Sequence, residues 1–357
     1  MTQAPDKVLY INGRFLTQKF SGVQRFATEV TLALQSLRAD VELLVPPGEI
    51  AAPIAGSVTV GRLHGQGWEQ LELPRRAADG LLLNLGNTAP LLGRKQIVVI
   101  HDAGVFSTPE TYPWQLRMWY KAMQKALVLR RTALVTVSEF ARREIIQNLG
   151  ARPEDVMVVS EGADHIGRIA ADETILAENG LEAGGFVLAV GNLAAHKNLA
   201  ALGALAQALA QSGVKLVITG GFGGKAFRAT STLKLPEPAL YIGRVSDAAL
   251  KALYQAATCF VFPSRYEGFG LPMGEAMTCG CPVVASDIPV LREIFPHCAL
   301  FCDPQSPNDI AAKVLQLIGD KALQSKLSEA GMQRTKTMTW ERCGEEMNAI
   351  ISRYEGK

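Results

Sequence analysis

Short unbroken runs of apolar residues recur from one end of the chain to the other, and amphipathic stretches separate them. In the first half the runs are "KVLYI", "VELLV", "LLLNL", "QIVVIH" and "ALVTV". In the second they are "FVLAVG", "KLVITG", "ALYIG", "CFVFP", "PVVAS" and "ALFC". Continuous Val, Ile and Leu, rather than strict alternation with polar residues, predicts strands buried on both faces. The intervening segments Gly22–Leu37, Trp114–Arg131 and Asn198–Gln211 carry helical periodicity, and "LPMGEAMTC" reads as a helix with Pro272 in its first turn. Strand and helix in alternation predict parallel, doubly wound α/β sheets.

The rhythm breaks once. From Ser160 to Gly185 the chain is polar and glycine-bearing, with no strong strand. A length of 357 residues suits about two domains, so a boundary is expected near residue 170. The expected organisation is two Rossmann-like domains, 1–170 and 171–335, followed by a terminal helical segment, 336–357, with Thr339 as a plausible cap. Ligands of open α/β sheets bind beyond the strand C-termini, and two such sheets facing each other would form an interdomain cleft. No short-period repeat or low-complexity tract is present.

Composition changes this picture little. A net charge of +2 offers no electrostatic case for nucleic acid. No apolar run is long enough to span a bilayer, and "MTQAPDKVLYING" lacks the form of a signal peptide, so a cytoplasmic location is expected. The six cysteines, Cys259, Cys279, Cys281, Cys298, Cys302 and Cys343, contain no C-x-x-C pair. They are expected to be small buried thiols rather than zinc ligands.

Four loops carry unusual chemistry. In "SRYEGFG" and the helix after it, Glu267 and Glu275 are separated by seven residues, with Gly268 and Gly270 between them. The glycines let backbone N–H groups approach a ligand, and the helix N-terminus suits an anion such as phosphate. Glu275, one turn in, could accept hydrogen bonds from hydroxyls such as those of a ribose, while Glu267 would lie nearer the chemistry. In "VGNLAAHKNL", Lys197 stands near a helix start, where a cation is unfavourable unless an anion is close; a diphosphate would supply one, and a solvated lysine is the plainer alternative. In "HDAGVF", His101 follows a predicted strand, either in a site or as a satisfied structural histidine. In "QKFSGVQRFATEV", Gly22 opens a helix where a ligand could come near the backbone.

Taken together, "SGVQRFA", "HDAGVFSTPETYP", "VTVSEFARREI", "VGNLAAHKNL" and "EGFGLPMGEAM" occur in an order that resembles the retaining, GT-B-type glycosyltransferases of family 4, the glycosyl transferases group 1 set. The resemblance spans essentially the whole chain, and "EGFGLPMGEAM" looks like that family's E-x7-E motif. It implies a metal-independent hexosyltransferase acting on a nucleotide-sugar. Glu275 would bind ribose hydroxyls, and Glu267 would sit by the donor sugar. Phe269, Gly270 and Leu271 would offer N–H groups to phosphate and sugar, Lys197 would hold the diphosphate, and His101 would contact the donor sugar. Gly22 would line the phosphates from the first domain, and Arg244 and Val245 of "IGRVSD" would lie by the base. The first domain would take the acceptor, and the last helix would cross back onto it.

One departure matters. Many members carry arginine where Asn192 stands, or directly before the lysine where His196 stands. Asn192 is kept among the expected donor-binding residues, and Arg244, Arg265 or Arg25 would have to complete the clamp. The donor is expected to be GDP-mannose in preference to a UDP-hexose, and the acceptor a glycan or lipid-linked saccharide in bacterial polysaccharide synthesis. The helix Trp114–Arg131 mixes aromatic and basic residues, so peripheral contact at the inner face of the plasma membrane stays open beside the ordinary reading of one buried and one solvated face. A dehydrogenase is disfavoured because no G-x-G-x-x-G follows the first strand. "TGGFGGKA" is not a P-loop, having Thr219 for glycine and Ala226 for Ser/Thr. A non-catalytic nucleotide-sugar-binding protein, or an epimerase or phosphorylase on the same fold, remains the alternative.

Overall fold

In the computed structural model, residues 8–50, 53–221 and 235–355 are described, and the last five residues of "TGGFGGKA" lie outside them. The chain divides into two compact units. One is Met1–Glu161 with Trp340–Lys357, the other Gly162–Thr339.

The first unit is built on a seven-stranded sheet. Its strands are β1 (Leu9–Asn12), β2 (Val41–Val45), β3 (Ser57–Thr59), β4 (Leu81–Asn84), β5 (Gln96–Val99), β6 (Ala133–Thr136) and β7 (Val156–Val158). They are ordered β3-β2-β1-β4-β5-β6-β7, and every pairing is parallel. The second unit holds β8 (Phe186–Val190), β9 (Lys215–Thr219), β10 (Leu240–Gly243), β11 (Cys259–Phe262), β12 (Val283–Ser286) and β13 (Leu300–Cys302). Their order is β10-β9-β8-β11-β12-β13, again all parallel. These are two Rossmann-like sheets. Each reverses its strand order once, between β1 and β4 and between β8 and β11.

The sheet interiors follow from the apolar runs. β1, β4, β5, β6, β11 and β12 are buried along their whole length. In the second unit, Leu205 and Leu209 of the helix Gly203–Gln211 and Ile310, Val314 and Leu317 of Pro307–Gly319 pack with Val187, Ile218 and Val261 of the strands. Two strands, β3 and β7, were not expected from the sequence. Both are three-residue edge strands, too short to produce a run of buried residues.

In the first unit the terminal helix Trp340–Glu355 lies along the helix Gly22–Leu37. The contact is close because Gly344 lacks a side chain: a Cβ there would fall 2.5 Å from the Cβ of Ala33. Trp340 is buried with its ring edge-on to Phe26, centroids 6.0 Å apart. Arg38 at the end of the first helix donates to Glu355 at 2.6 Å and to Asn348 at 3.2 Å.

The helix predicted over Trp114–Arg131 runs Trp114–Leu129. It buries Met123, Gln124 and Leu127, whereas its first turns expose Trp114, Leu116 and Met118, with Trp114 65% accessible. Among the described residues no helix is long and apolar enough to cross a membrane. All six cysteines are unbridged and all but Cys279 are buried; burial pushes the Cys259 thiol up to about 12, which leaves a poorly reactive thiol.

Candidate active site

In open parallel sheets the ligand crevice opens where the strand order reverses. In the second unit that place is the C-terminal end of β8 and β11, and the two loops leaving it are tied together. The backbone N–H of Arg265, in the loop after β11, donates to the carbonyl of His196, in the loop after β8, at 2.8 Å. Asn198 adopts a left-handed backbone conformation, φ 56°, which asparagine tolerates better than most residues. Its amide donates to the carbonyls of Pro263 at 3.0 Å and Pro304 at 2.8 Å. The asparagine stands between the short turn Ala195–Lys197 and the predicted helix, which begins as a 3-10 turn, Leu199–Leu202, and continues as an α-helix, Gly203–Gln211. The brace places the preceding residue, Lys197, against the other loop. Its ammonium lies 2.6 Å from Glu267 Oε1, with side-chain exposures of 18% and 11%, and 5.7 Å from the centre of the Phe262 ring. An ammonium and a carboxylate this shielded attract each other more strongly than a surface pair.

The loop after β11 turns into the helix Leu271–Thr278 through Gly270. Here φ is +104°, and a Cβ would fall 2.6 Å from Leu291 Cδ2. Only glycine meets both demands. Phe269 is buried and meets Phe295 edge-on at 6.3 Å. No side chain caps the helix, Pro272 has no N–H, and the N–H of Met273 returns to the Gly270 carbonyl at 2.9 Å. The backbone at Gly270 and Leu271 therefore forms an N-terminal turn of the kind that suits an anion.

Glu275 sits one turn further on and is 8% exposed. Its Oε1 is 3.0 Å from His165 Nε2, and its Oε2 is 3.3 Å from the Tyr254 hydroxyl. Sequence reasoning singled out the glutamate but neither partner. His165 lies 110 residues away in a polar stretch read as linker, and Tyr254 falls on the apolar face of a helix, where a tyrosine reads as core. Asn198 was missed as well, although an asparagine directly after a candidate ligand in a glycine-bearing loop is a usable turn signal.

The other expected residues of this unit lie on neighbouring loops. Asn192 is exposed, and its side-chain oxygen accepts the N–H of Ala194 at 3.1 Å, closing a turn. Arg244 is exposed with its guanidinium against Gly221, where an added Cβ would lie 3.3 Å from Nη2, and Val245 beside it is half-buried. Arg265 is exposed, whereas Arg25, in the first unit, sits over the Phe20 ring at 4.5 Å and near Glu29 at 3.6 Å.

Two expected residues belong to the first unit. Gly22 is exposed at the start of its helix, and a Cβ there would meet no atom within 4 Å, so packing does not require glycine at this position. His101 follows β5 and is 5% exposed. Its backbone N–H donates to Asn87 Oδ1 at 2.7 Å, its Nε2 is 3.0 Å from the Leu85 carbonyl, and its Nδ1 is 3.5 Å from Glu161 Oε1. A carbonyl only accepts, so Nε2 carries a proton. Among the described residues no group of three or more His, Cys, Asp or Glu is placed to hold a metal ion.

Comparison with known proteins decides the family. Residues 172–334 match the glycosyl transferases group 1 family. O-antigen chain mannosyltransferase B of Escherichia coli is 32% identical over 263 residues, covering 70% of this chain and 68% of that protein. The chain belongs to the glycosyl transferases group 1 family. The O-antigen chain mannosyltransferase RfbU of Salmonella typhimurium is 28% identical over 63% of this chain and 61% of its own. Among solved structures, a sucrose-phosphate synthase from Thermosynechococcus elongatus superposes with a TM-score of 0.75 at 17% identity, over 97% of this chain and 98% of that one. Anabaena HepE in complex with UDP and glucose gives 0.72 at 18% identity, over 97% and 99%. These two likenesses concern the fold, which is the two-domain GT-B architecture expected from the sequence. This glycosyltransferase moves a sugar from a nucleotide-sugar donor to an acceptor.

Proposed function

We propose that the enzyme transfers mannose from GDP-mannose to a lipid-linked or free saccharide in bacterial polysaccharide synthesis, with retention of configuration and without a metal ion. The observation that carries this reading is the Lys197–Glu267 pair at the point where the strand order of the second unit reverses, beside the uncapped Gly270 turn. The preference for mannose and for O-antigen-like acceptors follows the names of the two relatives, each called an O-antigen chain mannosyltransferase.

In this reading the donor diphosphate lies against the Leu271 turn and the Lys197 ammonium. As the bond from the sugar's anomeric carbon to the phosphate oxygen breaks, charge grows on that oxygen and is met by fixed donors. The acceptor hydroxyl attacks the same face, its oxygen forms the new bond to the anomeric carbon, and its proton passes to the departing phosphate. Glu267, held by Lys197, faces the sugar, and Glu275 takes the ribose hydroxyls. Arg244 and Val245 lie by the base, with Asn192 and the N–H groups of Phe269, Gly270 and Leu271 toward the phosphates. Gly22 and His101 keep their expected roles toward phosphate and sugar.

A thermal-shift panel tests the reading. GDP and GDP-mannose at about a hundred times Kd would add roughly 2.7 kcal/mol to the stability of the form that binds them, so both should raise the melting temperature clearly. A larger rise with UDP compounds would reassign the base, and no rise with any nucleoside diphosphate would overturn the reading. Transfer activity is also expected to persist in excess EDTA. Activity lost to the chelator and restored only by a divalent ion would show that a metal, rather than Lys197 and the helix terminus, meets the leaving charge.

A further inference from the structure

The two groups on Glu275 are more than packing. Its side chain is nearly out of solvent, yet among the described residues the carboxylate is paired with no arginine or lysine; its partners are an imidazole and a phenol. Because a carboxylate oxygen only accepts, His165 presents Nε2–H to Oε1. Burial, with the charge of Glu275 beside it, pushes the Tyr254 phenol well above the usual tyrosine range, so its hydroxyl stays protonated and can donate. That single proton is offered to Oε2 at 3.3 Å and to the Pro272 carbonyl at 3.2 Å. A carboxylate has about four acceptor positions. One donor on each oxygen fixes its plane and leaves a second position on each for a ligand.

The frame around His165 is built for that placement. His165 belongs to the short turn Asp164–Arg168, which lies directly on the helix bearing Glu275. Gly274 permits the approach: a Cβ there would fall 2.9 Å from Ala163 Cβ. The turn is held at both ends. The N–H of Ala163 donates to the Met338 carbonyl at 2.8 Å, and Lys251 Nζ reaches the carbonyls of Gly167 at 3.2 Å and Ile169 at 2.7 Å. Lys251 and Tyr254 share one helix, Asp247–Ala256, so one element fixes both partners of the carboxylate.

We propose that His165 and Tyr254 are positioning residues that orient the Glu275 carboxylate to accept two vicinal hydroxyls, so that the site's preference for a ribonucleotide over its dideoxy form depends on them. The inference rests on the reading of Glu275 as the ribose contact.

The test compares GDP with 2′,3′-dideoxy-GDP by calorimetry, together with the same pair of uridine nucleotides. The wild-type enzyme should bind the ribonucleotide at least about tenfold more tightly, the worth of one or two charge-assisted hydrogen bonds. His165→Leu and Tyr254→Phe should shrink that ratio to about threefold or less, chiefly by weakening ribonucleotide binding. His165→Gln, which carries an N–H the same number of bonds from Cβ, should restore most of it. A merely structural histidine would weaken both ligands alike and leave the ratio intact, and that result in both variants would overturn the inference. Should His165→Leu fail to fold, Tyr254→Phe, which keeps the ring, decides alone. A wild-type ratio near one would remove the ribose role of Glu275 and the inference with it, whereas a wild-type preference that survives both substitutions would remove the inference only.

Discussion

Lys197→Ala should lower kcat/KM by about 10²- to 10³-fold, the range found when one preorganised charge stabiliser is removed from an active site. The structure gives two reasons to expect the upper part of that range. The ammonium lies 2.6 Å from Glu267 Oε1, and braces independent of the lysine side chain hold its loop, namely the Asn198 amide and the N–H of Arg265. Deleting the side chain therefore removes the charge without dismantling the loop. It also leaves the Glu267 carboxylate, 11% exposed, without its counter-ion, and that carboxylate would then repel an incoming diphosphate instead of sharing a cation with it. Both binding and turnover should suffer: calorimetry with GDP should show weaker affinity, and initial rates with saturating GDP-mannose should still fall. Lys197→Arg should rescue only part, because a planar guanidinium does not fill the place of a compact ammonium 2.6 Å from its partner. Near-normal rates for the alanine variant, with the fold intact by circular dichroism, would remove Lys197 from the site.

How much of this was legible in the sequence depends on the distance over which each feature is determined. The central strands announce themselves because a parallel strand covered on both faces is apolar along most of its length, as "LLLN" of β4 and "VVAS" of β12 are up to their last residues, Asn84 and Ser286. The edge strands β3 and β7 escape that rule, since an edge has neighbours on one side only and "SVT" of β3 is largely exposed. The local half of the site is equally readable. Gly270 and Pro272 mark a tight turn into a helix, and the structure shows why a side chain at 270 would collide with Leu291. The long-range half is not readable. Nothing near Lys197 foretells that its partner lies 70 residues on, and nothing near Glu275 foretells a histidine 110 residues back. The first pairing is set by which strands become neighbours, since β8 and β11 lie side by side although β9 and β10 come between them in sequence, and the second by the turn Asp164–Arg168 packing on the helix that bears Glu275. His101 shows the converse. It was legible as a histidine at a strand end, but not as a ring with one nitrogen committed to the Leu85 carbonyl and the other beside Glu161.

Glu267→Gln should separate catalysis from binding in a way the lysine substitution cannot. The change preserves shape and removes one negative charge 2.6 Å from the Lys197 ammonium. In the free enzyme the carboxylate competes with a diphosphate for that ammonium, so neutralising it should leave GDP affinity unchanged or improve it. Turnover should move the other way. If the carboxylate faces the donor sugar, its charge is worth most when positive character builds at the anomeric carbon, and an interaction made mainly in the transition state appears in kcat rather than in ground-state binding. The expected result is a kcat about 10²-fold lower or worse, with the Kd for GDP equal to or below that of the wild type. The opposite pattern, with normal turnover and weakened GDP binding, would make Glu267 a prop for Lys197 and nothing more. A third pattern separates the enzyme from a protein that only senses nucleotide-sugars. In a sensor the substitution could not lower release of GDP from GDP-mannose in the presence of acceptor, because wild-type protein would show no such release. Loss of turnover with retained or tightened GDP binding is therefore the combination that a catalytic carboxylate at this position requires, because it demands charge at the reacting carbon and tolerates its absence at the phosphates.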